Sequence, residues 1–174
     1  MEVQDTIQIR ALQTVDDREI QELSDVLMDC VAGGASVGFM LPLSRAKANA
    51  FWQGVGASVV RGERILLAAR DANGIIGTVQ VIFAQYENQP HRADVAKMLV
   101  HRSARRRGVG AALLTAAEHA ALRAGRTLLV LDTASSDAER LYAKLGWQRS
   151  GVIPNFALMP NGSRCDTTFF FRTL

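Results

Sequence analysis

The chain has 174 residues, of which 48% are hydrophobic and 21% charged, and its formal net charge is +3. A domain of this size buries a full core without metals or disulfides, so we expect one domain over residues 1–174. The charge permits an anionic ligand, but it is far below that of a histone-like protein that coats nucleic acid.

Cysteine usage and the N-terminus indicate the cellular compartment. Cys30 and Cys165 form no C-x-x-C pair, which disfavours a zinc site or redox motif and predicts two reduced, buried or partly buried thiols. The first ten residues, MEVQDTIQIR, carry acids where a signal peptide has a basic flank and an apolar run. No apolar segment approaches the roughly 18 residues of a membrane span. We therefore expect a cytoplasmic protein with no metal and no membrane partner.

The first half of the chain predicts strands and helices in alternating blocks. The alternation of apolar and polar residues over 6–12 predicts a strand. Apolar residues at helical spacing predict a helix over 15–31, and a second helix over 43–62 begins at Ser44 as its N-cap. The pair Asn73–Gly74 between two apolar runs predicts a β-hairpin.

The second half predicts a strand–helix–strand unit followed by a closing hairpin. A strand over 92–101 precedes a helix over 109–124, and the continuous apolar strand over 127–133 is expected to be parallel to the first and covered on both faces. A short helix over 136–146 and two closing strands around Pro160 follow. The order β-α-α-β-β-β-α-β-α-β-β predicts one α/β domain with a mixed sheet and helices on its faces.

An arginine-rich loop stands where the strand over 92–101 leads into the next helix. Four of the six residues over 102–107 are arginine, and Gly108 and Gly110 follow. A helix start offers unpaired N–H groups and a positive dipole end to a phosphate, and glycines allow close approach. The Walker motif is excluded because Ala111–Ala112 follow the glycines, and the dinucleotide fingerprint because Leu113 occupies its third glycine position.

The stretch Arg105–Gly110, which reads R-x-x-G-x-G, resembles the acetyl-CoA signature of the GNAT (GCN5-related) N-acetyltransferases. The segment AERLYAKLGW over 138–147 is similar to a second motif of that family, with Trp147 where phenylalanine is usual. The element order also matches, so the resemblance spans nearly the whole chain. It implies the GNAT acyl-CoA N-acyltransferase fold and acetyl-CoA (coenzyme A) as cofactor. The cofactor-binding residues that it implies are Met98, Leu99, Val100, Arg105, Arg106, Arg107, Gly108, Val109, Gly110 and Ala111.

Further stretches resemble the tabtoxin-resistance acetyltransferases within the family. They lie over 33–40, 92–100 and 128–133, together with the closing segment. The resemblance implies a small-molecule amine as substrate, such as a toxin or antibiotic. It also implies that the glycine-rich loop over 33–39 covers the acceptor site as a lid, with Gly34 and Phe39 binding substrate, whereas the alternative is a plain helix–helix connector.

Tyr142 is the candidate general acid, because it occupies the family's tyrosine position. In the reaction that the resemblance implies, a neutral amine attacks the acetyl thioester, and the phenol protonates the departing sulfur. The alternative is that Tyr142 only packs.

Asp94 and Asp132 are the candidate general bases. Asp132 ends an apolar strand, and burial would raise the pKa of such a carboxyl group towards a useful range. Simple alternation places Asp94 on the same face as Met98 and Val100. Asp132 could instead cap a loop, Asp94 could form a surface ion pair, and a water molecule could carry the proton.

Other functions fit parts of the sequence. Acetylation of a protein N-terminus or lysine uses the same chemistry, and a non-catalytic acyl-CoA-binding module needs only the loop motif. Nucleic-acid binding through residues 102–107 is disfavoured, because the charge is confined to one loop and the following helix is alanine-rich. The segment TTFFF over 167–171 could pack within one chain or between two, so monomer and homodimer both remain open.

Overall fold

The computed structural model describes residues 6–174, and the predicted element order is confirmed. The first five residues, on which the signal-peptide argument partly depends, lie outside the described residues. The elements are β1 (Gln8–Leu12), α1 (Asp17–Ala32), α2 (Arg45–Val60), β2 (Arg64–Asp71), β3 (Gly74–Phe83), β4 (Arg92–Val100), α3 (Val109–Arg123), β5 (Leu128–Thr133), α4 (Ser136–Lys144), β6 (Gln148–Leu158) and β7 (Arg164–Thr173). A short 3-10 turn, Arg102–Ala104, precedes α3.

The strands form one seven-stranded sheet in the order β1-β2-β3-β4-β5-β7-β6. Every neighbouring pair is antiparallel except β4 and β5, which are parallel as predicted. The parallel pairing is short, because only Arg92–Asp94 pairs with Leu128–Val130. Beyond Asp94 the two strands continue without pairing to each other, which leaves a gap in the middle of the sheet.

β4 changes faces at Lys97, whose φ of 50° lies in the left-handed region. The register with β3 shifts at this point, which marks a β-bulge. Val95 and Met98 both contact the core beneath α3, whereas Leu99 belongs to the core beneath α1 and α2. Asp94 alternates with Val95 and so faces the α1–α2 side. The prediction that alternation places Asp94 with Met98 is therefore wrong, because the bulge inserts one residue between them.

Close packing of α3 on the sheet depends on Gly77 in β3. A Cβ atom at Gly77 would lie 3.1 Å from side-chain atoms of both Val109 and Leu113, and 3.0 Å from the carbonyl oxygen of Leu99. Because protein interiors are densely packed, a side chain there would push the helix outward. The small residues of sheet and helix together bring the start of α3 close to β4.

The side of the sheet under α1 and α2 is only half covered. These helices pack against β2, β3 and β4. On β5, Leu129 and Leu131 are buried beneath α3, but Leu128 and Val130 line a shallow groove on the opposite side. The prediction that this strand is covered on both faces is therefore wrong, because α1 and α2 do not extend over it.

The helix starts differ in how their N–H groups are satisfied. Asp16 caps α1, Ser44 caps α2 as predicted, and Ser135 caps α4. In contrast, Gly108 precedes α3 with no side-chain cap. Among residues 6–174, no helix has both the length and the apolar character that crossing a bilayer requires.

Replacing Leu113 in α3 with alanine is expected to lower the free energy of unfolding by about 2–5 kcal/mol, because the side chain is fully buried and leaves a cavity. Leu122 lies on the same helix but is 52% exposed, so Leu122→Ala should change that free energy by less than about 0.5 kcal/mol. Denaturant unfolding of both variants tests the packing of α3, and equal losses would contradict it.

Candidate active site

A cavity of about 1230 Å³ lies where β4 and β5 separate. Its walls come from β4, the ends of β5 and β6, the starts of α3 and α4, and the loop after α1. It brings together most of the residues predicted from the sequence, namely Gly34, Met98, Leu99, Val100, Arg105, Arg106, Gly108, Val109, Gly110, Ala111, Asp132 and Tyr142. The cavity residues do not include Phe39, Asp94 or Arg107.

The start of α3 forms one wall of the cavity and presents backbone N–H groups to it. Gly108 has a φ of 77°, which an L side chain rarely adopts, and the space beside its Cα is open to at least 4 Å. The first turn carries no acidic residue and no side-chain cap. Such a helix start favours an anion through its free N–H groups and its dipole. The sequence Gly108–Ala111 therefore fits a phosphorylated cofactor.

The arginines of the preceding loop divide into two groups. Arg105 and Arg106 line the cavity, and Arg105 Nε donates a hydrogen bond of 3.3 Å to the Val100 carbonyl oxygen. Arg107 lies away from the cavity, because its Nη1 is 3.2 Å from Asp71 Oδ2 in the β2–β3 hairpin. The sequence does not show this pairing, since the two residues are far apart along the chain.

Arg102 ties the loop to α1 through Asp29. The backbone N–H of Arg102 donates to Asp29 Oδ2 at 2.8 Å, and its Nε donates to Oδ1 at 2.9 Å. Although burial raises the pKa of this carboxyl group, the hydrogen bonds from Arg102 and the charge of His101 hold it below its usual value. Sequence reasoning missed this contact, which fixes the loop that leads into α3.

Tyr142 packs against other aromatic side chains and also lines the cavity, as the candidate general acid should. Its ring contacts Trp147 and Phe170, with ring centroids 6.0 Å and 5.6 Å away. It also lines the cavity, and no group of residues 6–174 forms a hydrogen bond with its hydroxyl. Burial raises the pKa of Tyr142 to about 12, and the charge of Asp132 adds to this effect. The phenol is therefore protonated at neutral pH and can donate a hydrogen bond.

Asp132 is the aspartate of the predicted pair that lines the cavity. Partial desolvation raises the pKa of its carboxyl group; the positive charge of Lys97 opposes this rise, and the negative charge of Asp94 adds to it. The Asp94 carboxylate accepts hydrogen bonds from Arg92 Nη1, at 2.9 Å to each oxygen. This is the surface ion pair that was the alternative interpretation of Asp94.

The loop after α1 lines the cavity and is tied to the closing hairpin. Ser36 Oγ donates to the Leu158 carbonyl oxygen at 2.9 Å, and the Leu41 N–H donates to the Pro160 carbonyl oxygen at 3.0 Å. Phe39 is not among the cavity residues, and its ring packs edge-on against Phe51, with ring centroids 5.2 Å apart. The loop therefore closes one side of the cavity through one side-chain and one backbone hydrogen bond to the hairpin.

Lys97 is a cavity residue that sequence reasoning did not select. Its side chain lies near the Phe51 ring, with Nζ 5.8 Å from the ring centroid, and burial lowers the pKa of its ammonium group. The available signal in the sequence was a lysine inside the otherwise apolar segment VAKMLV. The bulge that directs this side chain cannot be read from that pattern.

Comparisons with known proteins agree with this geometry. The model of the GNAT acetyltransferase domain matches residues 61–149, more than half of the chain. An N-acetyltransferase encoded in the hisH–hisA intergenic region of Azospirillum brasilense is 29% identical over 128 residues, which cover 72% of this chain and 74% of that protein.

Solved structures share the whole fold at low sequence identity. An N-acetyltransferase from Staphylococcus aureus Mu50 superposes with a TM-score of 0.81 and 15% identity, over 97% of this chain and 98% of that one. The Salmonella typhimurium protein yncA, solved with its cofactor acetyl-CoA, gives a TM-score of 0.78 and 19% identity, over 97% of this chain and 94% of that one. These two likenesses concern the fold, whereas the domain match identifies the family. The chain belongs to the GNAT acetyltransferase family.

Proposed function

We propose that this protein acetylates the amine of a small molecule, with acetyl-CoA as the donor. The observation that carries the proposal is the uncapped start of α3, which opens into the cavity that also contains Tyr142 and Asp132. A toxin or antibiotic is the kind of acceptor that the resemblance to tabtoxin-resistance acetyltransferases favours.

The residues that would hold the cofactor form two adjacent groups. The N–H groups of Gly108–Ala111 suit the pyrophosphate, and the Arg105 and Arg106 side chains add positive charge beside them. The backbone of Met98–Val100 has no strand partner on the β5 side, so its polar groups there, apart from the Val100 carbonyl that accepts from Arg105, are available to the pantetheine arm. Acetyl-CoA supplies an activated thioester carbonyl and a thiol leaving group.

Asp132 would accept the proton that the amine loses in the transfer, and Tyr142 would donate a proton to the leaving group. As the nitrogen bonds to the carbonyl carbon and the carbon–sulfur bond breaks, Asp132 takes the proton from nitrogen and Tyr142 gives its proton to sulfur. The raised pKa of Tyr142 keeps this proton in place before the reaction. The raised pKa of Asp132 makes its carboxylate a better base than an ordinary aspartate.

The closed side of the cavity favours a small acceptor over a protein. The hydrogen bonds from Ser36 and Leu41 to the closing hairpin hold the loop after α1 on one side of the cavity, which supports an acceptor smaller than an extended peptide. Acetylation of a protein N-terminus or lysine would need this loop to move away. A non-catalytic acyl-CoA-binding module would not need a protonated phenol and a carboxylate in one cavity.

Acetyl-CoA is expected to raise the melting temperature, because a ligand at a hundredfold excess over its Kd adds about 2.7 kcal/mol to stability. Arg106→Ala should weaken acetyl-CoA binding about tenfold, since it removes a charge from the cavity. Arg107→Ala is the matched control and should bind normally, because Arg107 pairs with Asp71 instead. Thermal shift measures all three proteins, with duplex DNA as a comparison ligand.

Absence of a shift with acetyl-CoA would contradict the proposed donor. A shift with DNA of similar size would favour the nucleic-acid alternative, and equal weakening in both variants would contradict the division of the arginines. Release of free thiol in the presence of an amine panel then measures the transfer itself.

Tyr142→Phe is expected to lower kcat by about 100-fold or more, because it removes a general acid and keeps the ring in its place. Acetyl-CoA affinity should change less than about twofold, since the first turn of α3 is untouched. Tyr86 is the other tyrosine of the chain and is 71% exposed, so Tyr86→Phe serves as the control with unchanged kcat. Parallel losses of kcat and acetyl-CoA affinity would show that Tyr142 acts only through packing.

Asp132→Asn is expected to remove the acidic limb of the pH profile of kcat/KM. The wild-type rate should fall as pH decreases through the raised pKa of Asp132, because a protonated carboxyl group cannot take a proton. Asp94→Asn should keep the limb and shift it to lower pH, because the charge of Asp94 raises the pKa of Asp132. Loss of the limb in Asp94→Asn alone would assign the base to Asp94.

The same substitution at Asp132 has a stability readout. A folded-state pKa above the ordinary value of 3.8 means that folding favours the protonated carboxyl group, so its contribution to stability is lost as pH rises through the raised pKa. At pH 7 Asp132→Asn should therefore be at least as stable as the wild type. Its advantage should disappear at pH values below 3.8, where the carboxyl group is protonated in both states.

A further inference from the structure

Lys97 places a cation in the cavity that forms no ion pair with any carboxylate of residues 6–174. The residue lines the cavity from the bulge of β4, where its backbone has a φ of 50°. Within residues 6–174, no carboxylate oxygen lies within 4.0 Å of its Nζ. A half-buried ammonium group without an ion-pair partner costs free energy, and a positive φ at a non-glycine residue adds strain. Both costs are concentrated at one residue on the cavity wall.

The surroundings hold the ammonium group in position without neutralising it. The Phe51 ring lies beside it, and a Cβ atom at Gly38 would be 3.8 Å from Nζ. Phe51 in turn packs against Phe39, so the aromatic pair forms a fixed wall behind the lysine. The ammonium group has an apolar wall on one side and the cavity on the other. An anionic group of a ligand in the cavity could therefore form an ion pair with it.

Asp132 provides the opposite charge in the same cavity. It alternates with Leu131, which is buried beneath α3, so its carboxylate faces the α1–α2 side, where Lys97 meets Phe51. The two charges influence each other, yet they are too far apart to form an ion pair. A positive and a negative side chain that are separated in this way match a small molecule that carries an anionic group and an ammonium group close together.

We propose that the acceptor is an α-amino acid or a close analogue, whose carboxylate binds Lys97 and whose amine faces Asp132. This inference rests on the proposed function and specifies its substrate class. It assigns Lys97 the role of a specificity-determining residue and gives the aromatic pair Phe39–Phe51 the role of its support. Simple monoamines and polyamines lack the anionic group and should be poor acceptors.

The experiment compares each of the twenty protein amino acids with its own α-carboxamide in a thiol-release assay with acetyl-CoA. The carboxamide keeps the amine and the side chain but removes the negative charge. For the best amino acid, kcat/KM should exceed that of its amide at least tenfold, mainly through KM. A panel in which no amino acid reacts faster than its amide overturns the inference.

Substitutions then assign the preference to one side chain. Lys97→Met should remove the preference by raising KM for the amino acid, with little change for the amide, and Lys97→Arg should restore part of it. Lys47→Met is the matched control, because Lys47 also lies over an aromatic ring, with Nζ 6.0 Å from the Phe39 centroid, but outside the cavity lining. A preference that survives in Lys97→Met, or is lost in Lys47→Met, overturns the assignment.

The acetyl-CoA thermal shift separates failure of this inference from failure of the proposed function. An unchanged shift in Lys97→Met shows that the fold and the cofactor site are intact, so its loss of preference reports on the acceptor alone. If acetyl-CoA binds and amides or simple amines are the better acceptors, the acetyltransferase proposal stands and the amino-acid inference fails. If acetyl-CoA does not bind the wild type, the donor proposal fails first.

Discussion

The separation of β4 from β5 is the constraint on which the rest of the site depends. Parallel pairing ends at Asp94, and from there the backbone of β4 has no strand partner on that side. Unpaired backbone groups in a buried sheet need other partners. The gap is therefore both the space for a ligand and the source of the polar groups that would hold it, and α3 and Asp132 lie on its two sides.

The bulge at Lys97 gives one strand two functions. On the α3 side, Met98 and Val100 pack against the core and place the backbone near the start of the helix. On the other side, the same bulge directs Lys97 towards Phe51 and places it in the cavity lining. A regular strand would place alternate residues on fixed faces and could not supply both walls at the same point.

The sequence predicts well those features that depend on neighbouring residues. The order of the elements follows from periodicity and capping, as at Ser44, and the start of α3 directly after Gly108 follows from glycines at a helix start. Features that depend on distant residues are missed. Arg107 forms an ion pair with Asp71, which is distant in the sequence. Asp94 lies on the opposite face from Met98 because of the bulge at Lys97, and no residue type in this segment predicts that bulge.

Gly77 has a consequence that extends beyond packing. It lies on β3, under α3, and none of its atoms borders the cavity, yet it sets how closely Val109 and the first turn of the helix approach the sheet. The position of the N–H groups at the start of α3 therefore depends on a residue that does not line the cavity. A larger residue at Gly77 would move the start of α3 relative to the cavity, although Gly77 is not among the residues that line it.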